Sequence, residues 1–204
     1  MRRQDWTRLR ALIEERCLKI SDKPFKLSNG ALSNYYFDCK NITLDGEGLS
    51  LIAEAFLEEI QKLPQEPKAI GGLTMGADFI TAAVALRSFE REMHIQGSIV
   101  RKEPKKHGTM LRIENELDRG TPIVVVDDVI TTGNSTLQAC EEFKAAGYRI
   151  VGIIVLIDRE EGGKAELEKR FGKVKAIFIT SDFPKAVKAD EQLRTTKGKI
   201  AAAA

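Results

Sequence analysis

The run Pro122–Val126 constrains the fold more than any other segment of this chain. It is continuously apolar and mostly β-branched, and a strand of this kind lies in the middle of a parallel sheet, covered on both faces. Helical patterns alternate with further apolar segments, which predicts an α/β fold with a parallel sheet flanked by helices. The further predicted strands are Ala69–Leu73, Gly97–Val100, Ile150–Ile157 and Ala176–Ile179.

The segments between and before these strands carry helix and turn signals. Asp5 predicts the cap of a first helix that runs to about Leu18. Extended segments on either side of Asn29-Gly30 predict a hairpin. The other predicted helices are one that begins at Asp45 and ends before Pro64, one over Ala77–Phe89, and one over Ser135–Ala146 that Gly147 terminates.

Length and composition bound the class of protein. The 204 residues predict one domain, with an N-terminal helix and hood to about residue 45, a core over about 46–180 and an extension over about 181–204. A net charge of +2 gives no support for a nucleic-acid or membrane partner. No apolar run could span a bilayer, and the N-terminal residues lack the apolar stretch of a signal peptide. Three dispersed cysteines fit buried thiols in a reducing compartment, so we expect a cytoplasmic protein.

The segment that follows the Pro122–Val126 run carries the chemistry. A buried strand leads into Asp127 and Asp128, then into a loop of small hydroxyl residues and Gly133, and then into a helix. In an open parallel sheet, ligands bind outside the carboxyl ends of the strands. A loop at that place that enters a helix points several backbone N–H groups at one spot, which suits a phosphate. Hydroxyl donors are added by Thr131, Thr132, Ser135 and Thr136. The adjacent carboxylates suit the paired hydroxyls of a ribose, with a divalent cation nearby.

This segment resembles the phosphoribosyl pyrophosphate signature of the type I phosphoribosyltransferases, which combine a parallel α/β core with a variable hood. The resemblance implies that Asp127 and Asp128 hold the ribose hydroxyls and act in catalysis, and that the loop holds the 5′-phosphate. The implied contacts with phosphoribosyl pyrophosphate are Asp127, Asp128, Val129, Ile130, Thr131, Thr132, Gly133, Asn134 and Ser135. A second glycine-rich segment, Gly71–Gly76, suits pyrophosphate, although its role stays open.

Three further stretches resemble the orotate phosphoribosyltransferases in particular. Arg101–Gly108 matches the RKExKxHG loop, which closes over the site in that family and reaches the neighbouring subunit's site in the dimer. The resemblance implies pyrophosphate contacts from Arg101, Lys102, Lys105 and His107, with Lys105 and His107 as catalytic residues. A cation cluster of this kind stays solvated until an anion binds.

The remaining two stretches concern the base. Phe25–Asp38 resembles the hood segment FxLxSGxxSxxYxD, which implies that Tyr36 and Phe37 lie against the pyrimidine. Ser28 stands where bacterial members often carry a lysine, and Lys26 receives no role. Leu156–Gly163 resembles the LxDRxEGG turn, whose arginine pairs with the orotate carboxylate, so Arg159 and Thr131 are the implied orotate contacts. A planar guanidinium suits a carboxylate because it offers a bidentate fork.

The resemblance implies transfer of the 5-phosphoribosyl group from phosphoribosyl pyrophosphate to orotate, by a homodimer that uses Mg²⁺. No residue of the chain is assigned as a metal ligand, and no nucleic acid or membrane partner is expected. Two alternatives stay open. One is transfer to a purine base, which Arg159, Tyr36 and Phe37 argue against. The other is a regulator that senses phosphoribosyl pyrophosphate without catalysis, which the loop cations and His107 argue against.

Overall fold

A computed structural model describes residues 1–26, 30, 32–103 and 112–192. In these residues the chain forms a two-stranded hairpin and a six-stranded sheet. The strands are β1 (Leu18–Lys26), β2 (Leu32–Phe37), β3 (Ala69–Leu73), β4 (Gln96–Val100), β5 (Ile113–Glu114), β6 (Pro122–Ile130), β7 (Arg149–Asp158) and β8 (Val174–Ile179). The order of the large sheet is β5-β4-β3-β6-β7-β8. Only the short edge strand β5 runs antiparallel to its neighbour among these described strands, so the predicted parallel α/β fold is confirmed.

Helices cover both faces of this sheet. They are α1 (Arg3–Leu12), α2 (Lys40–Thr43), α3 (Gly46–Ile60), α4 (Asp78–Glu90), α5 (Asn134–Ala145), α6 (Gly163–Phe171) and α7 (residues 184–192). A π-helical turn, Ile13–Cys17, continues α1 into β1. None of the helices in the described ranges is long and apolar enough to cross a membrane.

Strand β6 shows why an uninterrupted apolar run belongs at the centre of the sheet. Val124 and Val126 face a core shared with α1, α3, α4 and the hairpin. Ile123 and Val125 face the other core, with α5 and α6. Successive side chains of a strand point to opposite faces, so each half of the run fills a different core.

The same alternation continues into the acidic pair. Asp127 and Asp128 belong to β6, which continues to Ile130, whereas the sequence pattern placed them after the strand. Asp127 therefore turns toward α5, and Asp128 turns toward the side of the sheet that carries the hairpin. The two side chains leave the strand in different directions, but an oxygen of each carboxyl group lies within 3 Å of the position that a Cβ on Gly76 would take.

Most predicted elements are confirmed with shifted boundaries; the largest shift is in β1, which was predicted to begin at Pro24 and begins at Leu18. The predicted cap at Asp5 is wrong: the helix begins at Arg3, and Asp5 in its first turn accepts hydrogen bonds from the backbone and guanidinium of Arg2. The predicted cap at Asp45 is confirmed, since its carboxylate accepts from the Gly48 N–H at 2.9 Å. Four elements were not predicted: α2, β5, α6 and α7.

The extension after β8 begins as part of the core. Phe183, Ala186 and Ala189 are buried in the same core as α1 and the hairpin. Residues 193–204 lie outside the described residues. The three cysteines, Cys17, Cys39 and Cys140, are buried and free, as predicted.

Candidate active site

Three cavities adjoin at the carboxyl end of β6. The loop cavity, of about 190 Å³, is lined by Asp127, residues 129–135 and Thr136. The acid-pair cavity, of about 400 Å³, is lined by Tyr36, Lys40, Thr43, residues 73–76, Lys102, residues 127–129 and Ser135. The arginine cavity, of about 400 Å³, is lined by Phe25, Lys26, Tyr36, Phe37, Asp128, Val129, Thr131 and Arg159. Val129 borders all three, so they form one connected surface around the end of the strand.

The loop cavity has the geometry expected of an anion site. Gly133 caps α5 with φ of +79°, a left-handed conformation that favours glycine. The first N–H groups of an α-helix have no partner within the helix, and here they open onto the loop cavity. Such a helix start carries partial positive charge. The predicted loop residues are thus brought together around one concave surface.

Asp127 is buried and hydrogen-bonded. Its Oδ1 accepts from the Asp128 N–H at 3.0 Å, and its Oδ2 accepts from the Thr136 hydroxyl at 2.8 Å. Burial, followed by the charge of Asp128, raises the pKa of Asp127 to about 8. Thr136 was predicted to offer its hydroxyl to a phosphate; instead the residue is fully buried and donates to Asp127.

Asp128 faces the acid-pair cavity. Its Oδ1 accepts from the Val129 N–H at 2.8 Å. Burial raises the pKa of Asp128, and the positive charge of Lys40 acts in the opposite direction. Two neighbouring carboxylates, of which Asp127 is buried and Asp128 partly buried, favour a compensating cation or hydroxyl donors.

Lys40 is a site residue that the sequence reasoning did not single out. Its Nζ lies 2.6 Å from Oδ1 of Asp38, whose Oδ2 accepts from Lys19 at 2.8 Å. The lysine side chain is about half exposed and lines the acid-pair cavity together with Lys102. The sequence feature that could have indicated a role for Lys40 is the spacing Asp38-x-Lys40 directly after the hairpin.

The glycine-rich segment Gly71–Gly76 divides between strand and loop. Gly71 and Gly72 lie within β3, and only residues 73–76 border the acid-pair cavity. A Cβ atom on Gly76 would lie 2.6 Å from Oδ1 of Asp128 and 2.8 Å from Oδ1 of Asp127. The absence of a side chain at Gly76 therefore allows this loop to approach the acidic pair.

Tyr36 and Phe37 sit on opposite sides of β2, although both border the arginine cavity. Tyr36 is 39% exposed, whereas Phe37 is 2% exposed and its ring packs against Phe183 at a centroid distance of 5.2 Å. Lys26, to which no role was given, also borders this cavity. Tyr36 thus offers its ring to the cavity, and Phe37 chiefly supports the hairpin.

Arg159 is held firmly at the end of β7. Its side chain is 2% exposed, and its Nη2 lies 2.9 Å from Oε1 of Glu161 and donates to the Ser33 hydroxyl at 3.0 Å. The guanidinium carbon lies 4.3 Å from the centroid of the Tyr35 ring. The Nε atom is buried without a hydrogen-bond partner in the described structure. A buried guanidinium with an unused donor is suited to a carboxylate ligand.

Gly163, the first residue of α6, joins the Arg159 turn to residues 129–135, which we call the anion loop. The Arg159 N–H donates to Ile130 O, and the Gly163 N–H donates to Thr131 O, both at 3.0 Å. A Cβ on Gly163 would lie 2.6 Å from Thr131 O and from Gly133 N. Backbone contact at this distance fixes Arg159 relative to the loop cavity.

The predicted cation loop is only partly described. Lys105 and His107 lie outside the described residues. Lys102 borders the acid-pair cavity. Arg101 does not line any of the three cavities; its Nη1 donates to Oε1 of Glu114 on β5 at 3.0 Å.

Comparison with known proteins agrees with this arrangement. A family model described as the phosphoribosyl transferase domain matches residues 39–192. The orotate phosphoribosyltransferase of Aquifex aeolicus is 43% identical over 176 residues, covering 86% of this chain and 95% of that protein. The one from Leptospira biflexa is 44% identical over 164 residues, covering 80% and 89%.

Solved structures give the same result. The orotate phosphoribosyltransferase of Mycobacterium tuberculosis in complex with phosphoribosyl pyrophosphate is 26% identical, with a TM-score of 0.67 and coverage of 87% of this chain and 98% of that one. The enzyme from Aeropyrum pernix is 29% identical, with a TM-score of 0.71 and coverage of 84% and 93%. The chain therefore belongs to the phosphoribosyltransferase family, and within it to the orotate phosphoribosyltransferases.

Proposed function

We propose that this protein transfers the 5-phosphoribosyl group of phosphoribosyl pyrophosphate to orotate, giving orotidine 5′-phosphate and pyrophosphate for pyrimidine nucleotide synthesis. The observation that carries the proposal is the continuity of the three cavities around Val129. A phosphate in the loop cavity, a ribose at the acidic pair and a base in the arginine cavity would lie in the order in which they are joined in the product.

In this assignment the sugar phosphate is bound by backbone and hydroxyl groups. The helix start of α5 and the loop hydroxyls hold the 5′-phosphate. The carboxyl groups of Asp127 and Asp128 accept hydrogen bonds from the ribose hydroxyls. These contacts leave C1′ between the arginine cavity, where the base arrives, and the acid-pair cavity, into which pyrophosphate departs.

The base is bound by the arginine cavity. The guanidinium of Arg159 pairs with the orotate carboxylate, Thr131 offers a hydroxyl, and the Tyr36 ring covers the pyrimidine face. As the bond from C1′ to pyrophosphate breaks, positive charge develops on the ribose. The ring nitrogen of orotate forms the new bond to C1′ and releases its proton. The protein's contribution is to hold the two reactants in line and to stabilise the leaving group.

Pyrophosphate is an anion that needs compensating charge. Lys102 borders the acid-pair cavity, and we assign Arg101, Lys105 and His107 to the same task on the basis of the matched loop. Closure of residues 101–113 over the site would exclude the water that competes for the activated sugar. His107 would donate a hydrogen bond or a proton to the departing pyrophosphate.

The acidic pair also fits a magnesium ion that arrives with the substrate. Magnesium prefers oxygen ligands and is usually bound through one or two carboxylates together with phosphates. Asp127 and Asp128 supply such oxygens, and a cation beside them would stabilise the ionised forms that burial disfavours. When bound, the ion would neutralise charge on the pyrophosphate.

We further propose a cytoplasmic homodimer in which the 101–113 loop completes the neighbouring site. Helix α4 supports a protein contact, since its Leu86 and Phe89 are 64% and 65% exposed. Large apolar side chains that stay exposed together mark an association surface.

The proposal is tested by replacing Arg159. Purified wild type should release pyrophosphate when given orotate, phosphoribosyl pyrophosphate and Mg²⁺. Arg159→Gln should raise the KM for orotate by about a hundredfold, the value of a lost charge-assisted pair, and leave the KM for phosphoribosyl pyrophosphate near that of wild type. An unchanged orotate KM would remove Arg159 from base recognition.

A further inference from the structure

Arg159 separates two cavities, of which the mechanism uses only the arginine cavity. Behind it lies a second cavity of about 490 Å³, the rear cavity, which is lined by Leu32, Ser33, Tyr35, Arg159, Glu160, Glu161, Thr180, Ser181, Val187, Asp190 and Glu191. Glu161 borders the rear cavity and does not line the arginine cavity. Its carboxylate therefore contacts the guanidinium from the rear cavity and not from the arginine cavity.

The hydrogen bonds of Arg159 are divided unequally among its nitrogens. Nη2 contacts both Glu161 and Ser33, at 2.9 and 3.0 Å, whereas the buried Nε has no partner in the described structure. Ser33 is fixed in turn, since its hydroxyl donates to Tyr35 O at 2.9 Å. The ring of Tyr35 covers one face of the guanidinium. Nη2 is thus committed to the protein, and Nε is buried and makes no hydrogen bond in the described structure.

We propose that Glu161 is a positioning residue for the base: from the rear cavity its carboxylate fixes Nη2 of Arg159, so that the remaining guanidinium N–H groups point to the substrate carboxylate. The inference rests on the proposed role of Arg159. An arginine carries two to three carboxylate contacts without geometric conflict because its five donors lie in one plane. Glu161 also supplies the counter-charge that a guanidinium buried to this degree requires when no substrate is bound.

If Glu161 had a purely structural role, its replacement would affect the KM values of both substrates alike. Without Glu161, the guanidinium would lose one of its two fixed contacts and sample other orientations, which costs orotate affinity. The loop cavity would keep its backbone hydrogen bonds to Gly163 and Arg159 N, so phosphoribosyl pyrophosphate should bind as before. We therefore expect the KM for orotate to rise and the KM for phosphoribosyl pyrophosphate to stay at the wild-type value.

The experiment compares Glu161→Ala and Glu161→Gln with wild type by steady-state kinetics with each substrate varied in turn. Glu161→Ala should raise the orotate KM about tenfold, the effect of roughly one hydrogen bond to a charged group, with the KM for phosphoribosyl pyrophosphate unchanged. Glu161→Gln should give a smaller rise, because the amide oxygen still accepts from Nη2 but carries no charge.

Glu160→Gln is the matched control. Glu160 lies in the same turn, but its carboxylate accepts from the N–H and hydroxyl of Ser181, at 2.9 and 2.7 Å, and has no part in holding Arg159. This variant should keep the wild-type orotate KM. Thermal unfolding of all three variants checks that each is folded, and Glu161→Gln preserves the test if Glu161→Ala is not.

Two results would overturn the inference: an orotate KM that stays at the wild-type value in both Glu161 variants, or an equal rise in both KM values. Arg159→Lys distinguishes this failure from failure of the proposed function. If Arg159→Lys raises the orotate KM while the Glu161 variants do not, only the role of Glu161 is wrong. If Arg159→Lys also leaves it unchanged, the assignment of Arg159 itself is wrong.

Discussion

The Thr136 hydroxyl donates a 2.8 Å hydrogen bond to Oδ2 of Asp127, and this bond joins the first turn of α5 to the end of β6. Both partners are buried, at 0% and 5% exposure. The anion loop lies between these two residues in sequence, so the bond closes the base of the loop. It also lowers the pKa of Asp127, against the larger effect of burial.

Thr136→Val should therefore weaken the site and the fold together. The change keeps the shape of the side chain and leaves Oδ2 of Asp127 without its donor, which costs about 1–3 kcal/mol. We expect a lower melting temperature and a fall in kcat/KM for phosphoribosyl pyrophosphate of roughly tenfold, because the carboxyl group is held less well. Thr136→Ser keeps the hydroxyl and should behave nearly as wild type. Equal behaviour of the two variants would show that the bond is unimportant.

The raised pKa of Asp127 predicts a stability that depends on pH in the absence of ligand. The fold favours the protonated carboxyl, so its contribution is fully present below the ordinary pKa of 3.8 and is lost as pH rises through about 8. The loss amounts to at most about 1.4 kcal/mol per pH unit within this window. The Asp127→Asn variant has no ionisable side chain at this position, so it lacks this contribution to the pH dependence of stability.

Thermal unfolding of wild type and Asp127→Asn from pH 5 to pH 9 measures this dependence. The variant should gain stability relative to wild type as the pH rises. A difference between the two melting temperatures that stays constant over the range would contradict the raised pKa. Comparing the two proteins cancels the titration of groups that do not interact with Asp127; Asp128 does interact, since its charge raises the pKa of Asp127.

Gly76 should not tolerate a side chain. A Cβ atom at this position would lie 2.6 and 2.8 Å from carboxylate oxygens of the acidic pair, so the loop or the pair would have to move. A displacement of this size at a reacting centre costs on the order of tenfold or more in rate. We expect Gly76→Ala to lower kcat/KM for phosphoribosyl pyrophosphate accordingly.

Gly46→Ala is the control for this change, because a Cβ there meets nothing within 4 Å. It should keep the wild-type kinetics. Full activity of Gly76→Ala would mean that the loop does not need its close approach to Asp127 and Asp128.

Lys105, which lies outside the described residues, tests the loop that the sequence matched. Lys105→Ala should reduce kcat far more than substrate affinity, since the leaving pyrophosphate carries more charge in the transition state than in the ground state. An unchanged kcat would remove this loop from the chemistry.

The same variant also tests whether the loop acts on the neighbouring subunit. Lys105→Ala and Asp128→Asn should each be nearly inactive alone. When the two are unfolded and refolded together, mixed dimers would contain one site with both residues intact, and activity should return. Continued inactivity of the mixture, with dimers demonstrated by light scattering, would place the loop over its own subunit's site.

Local sequence was sufficient to predict the central parallel strands and the anion loop, although not the short edge strand β5. The β6 run and its flanking carboxylates are contiguous, and a strand followed by a small-residue loop and a helix has few alternative arrangements. Helices α6 and α7 were missed because they bury few residues in an apolar pattern: Leu167 in α6, and Ala186 and Ala189 in α7. Charged and small residues at the other positions leave only a weak periodicity of apolar residues. These helices form because of their packing against the rest of the protein, which the local pattern does not show.

The site residues that were missed depend on contacts between distant segments. Ser33 and Arg159 are 126 residues apart, and nothing in either segment indicates that they meet. Lys40 and Glu161 acquire their roles only through the residues that face them, Asp38 and Arg159. Thr136 looked like a phosphate donor because the pattern shows its neighbours and not the direction of its side chain.

The most direct test of the central claim is a panel of bases. Purified protein is incubated with phosphoribosyl pyrophosphate, Mg²⁺ and one of orotate, uracil, hypoxanthine, guanine, xanthine or adenine, and pyrophosphate release is measured. We expect release with orotate and at most a trace with the others, since only orotate carries a carboxylate for Arg159. Release with a purine would contradict the assignment of the base while keeping that of the acidic pair. Binding of phosphoribosyl pyrophosphate without release for any base would contradict catalysis itself and favour a sensing role.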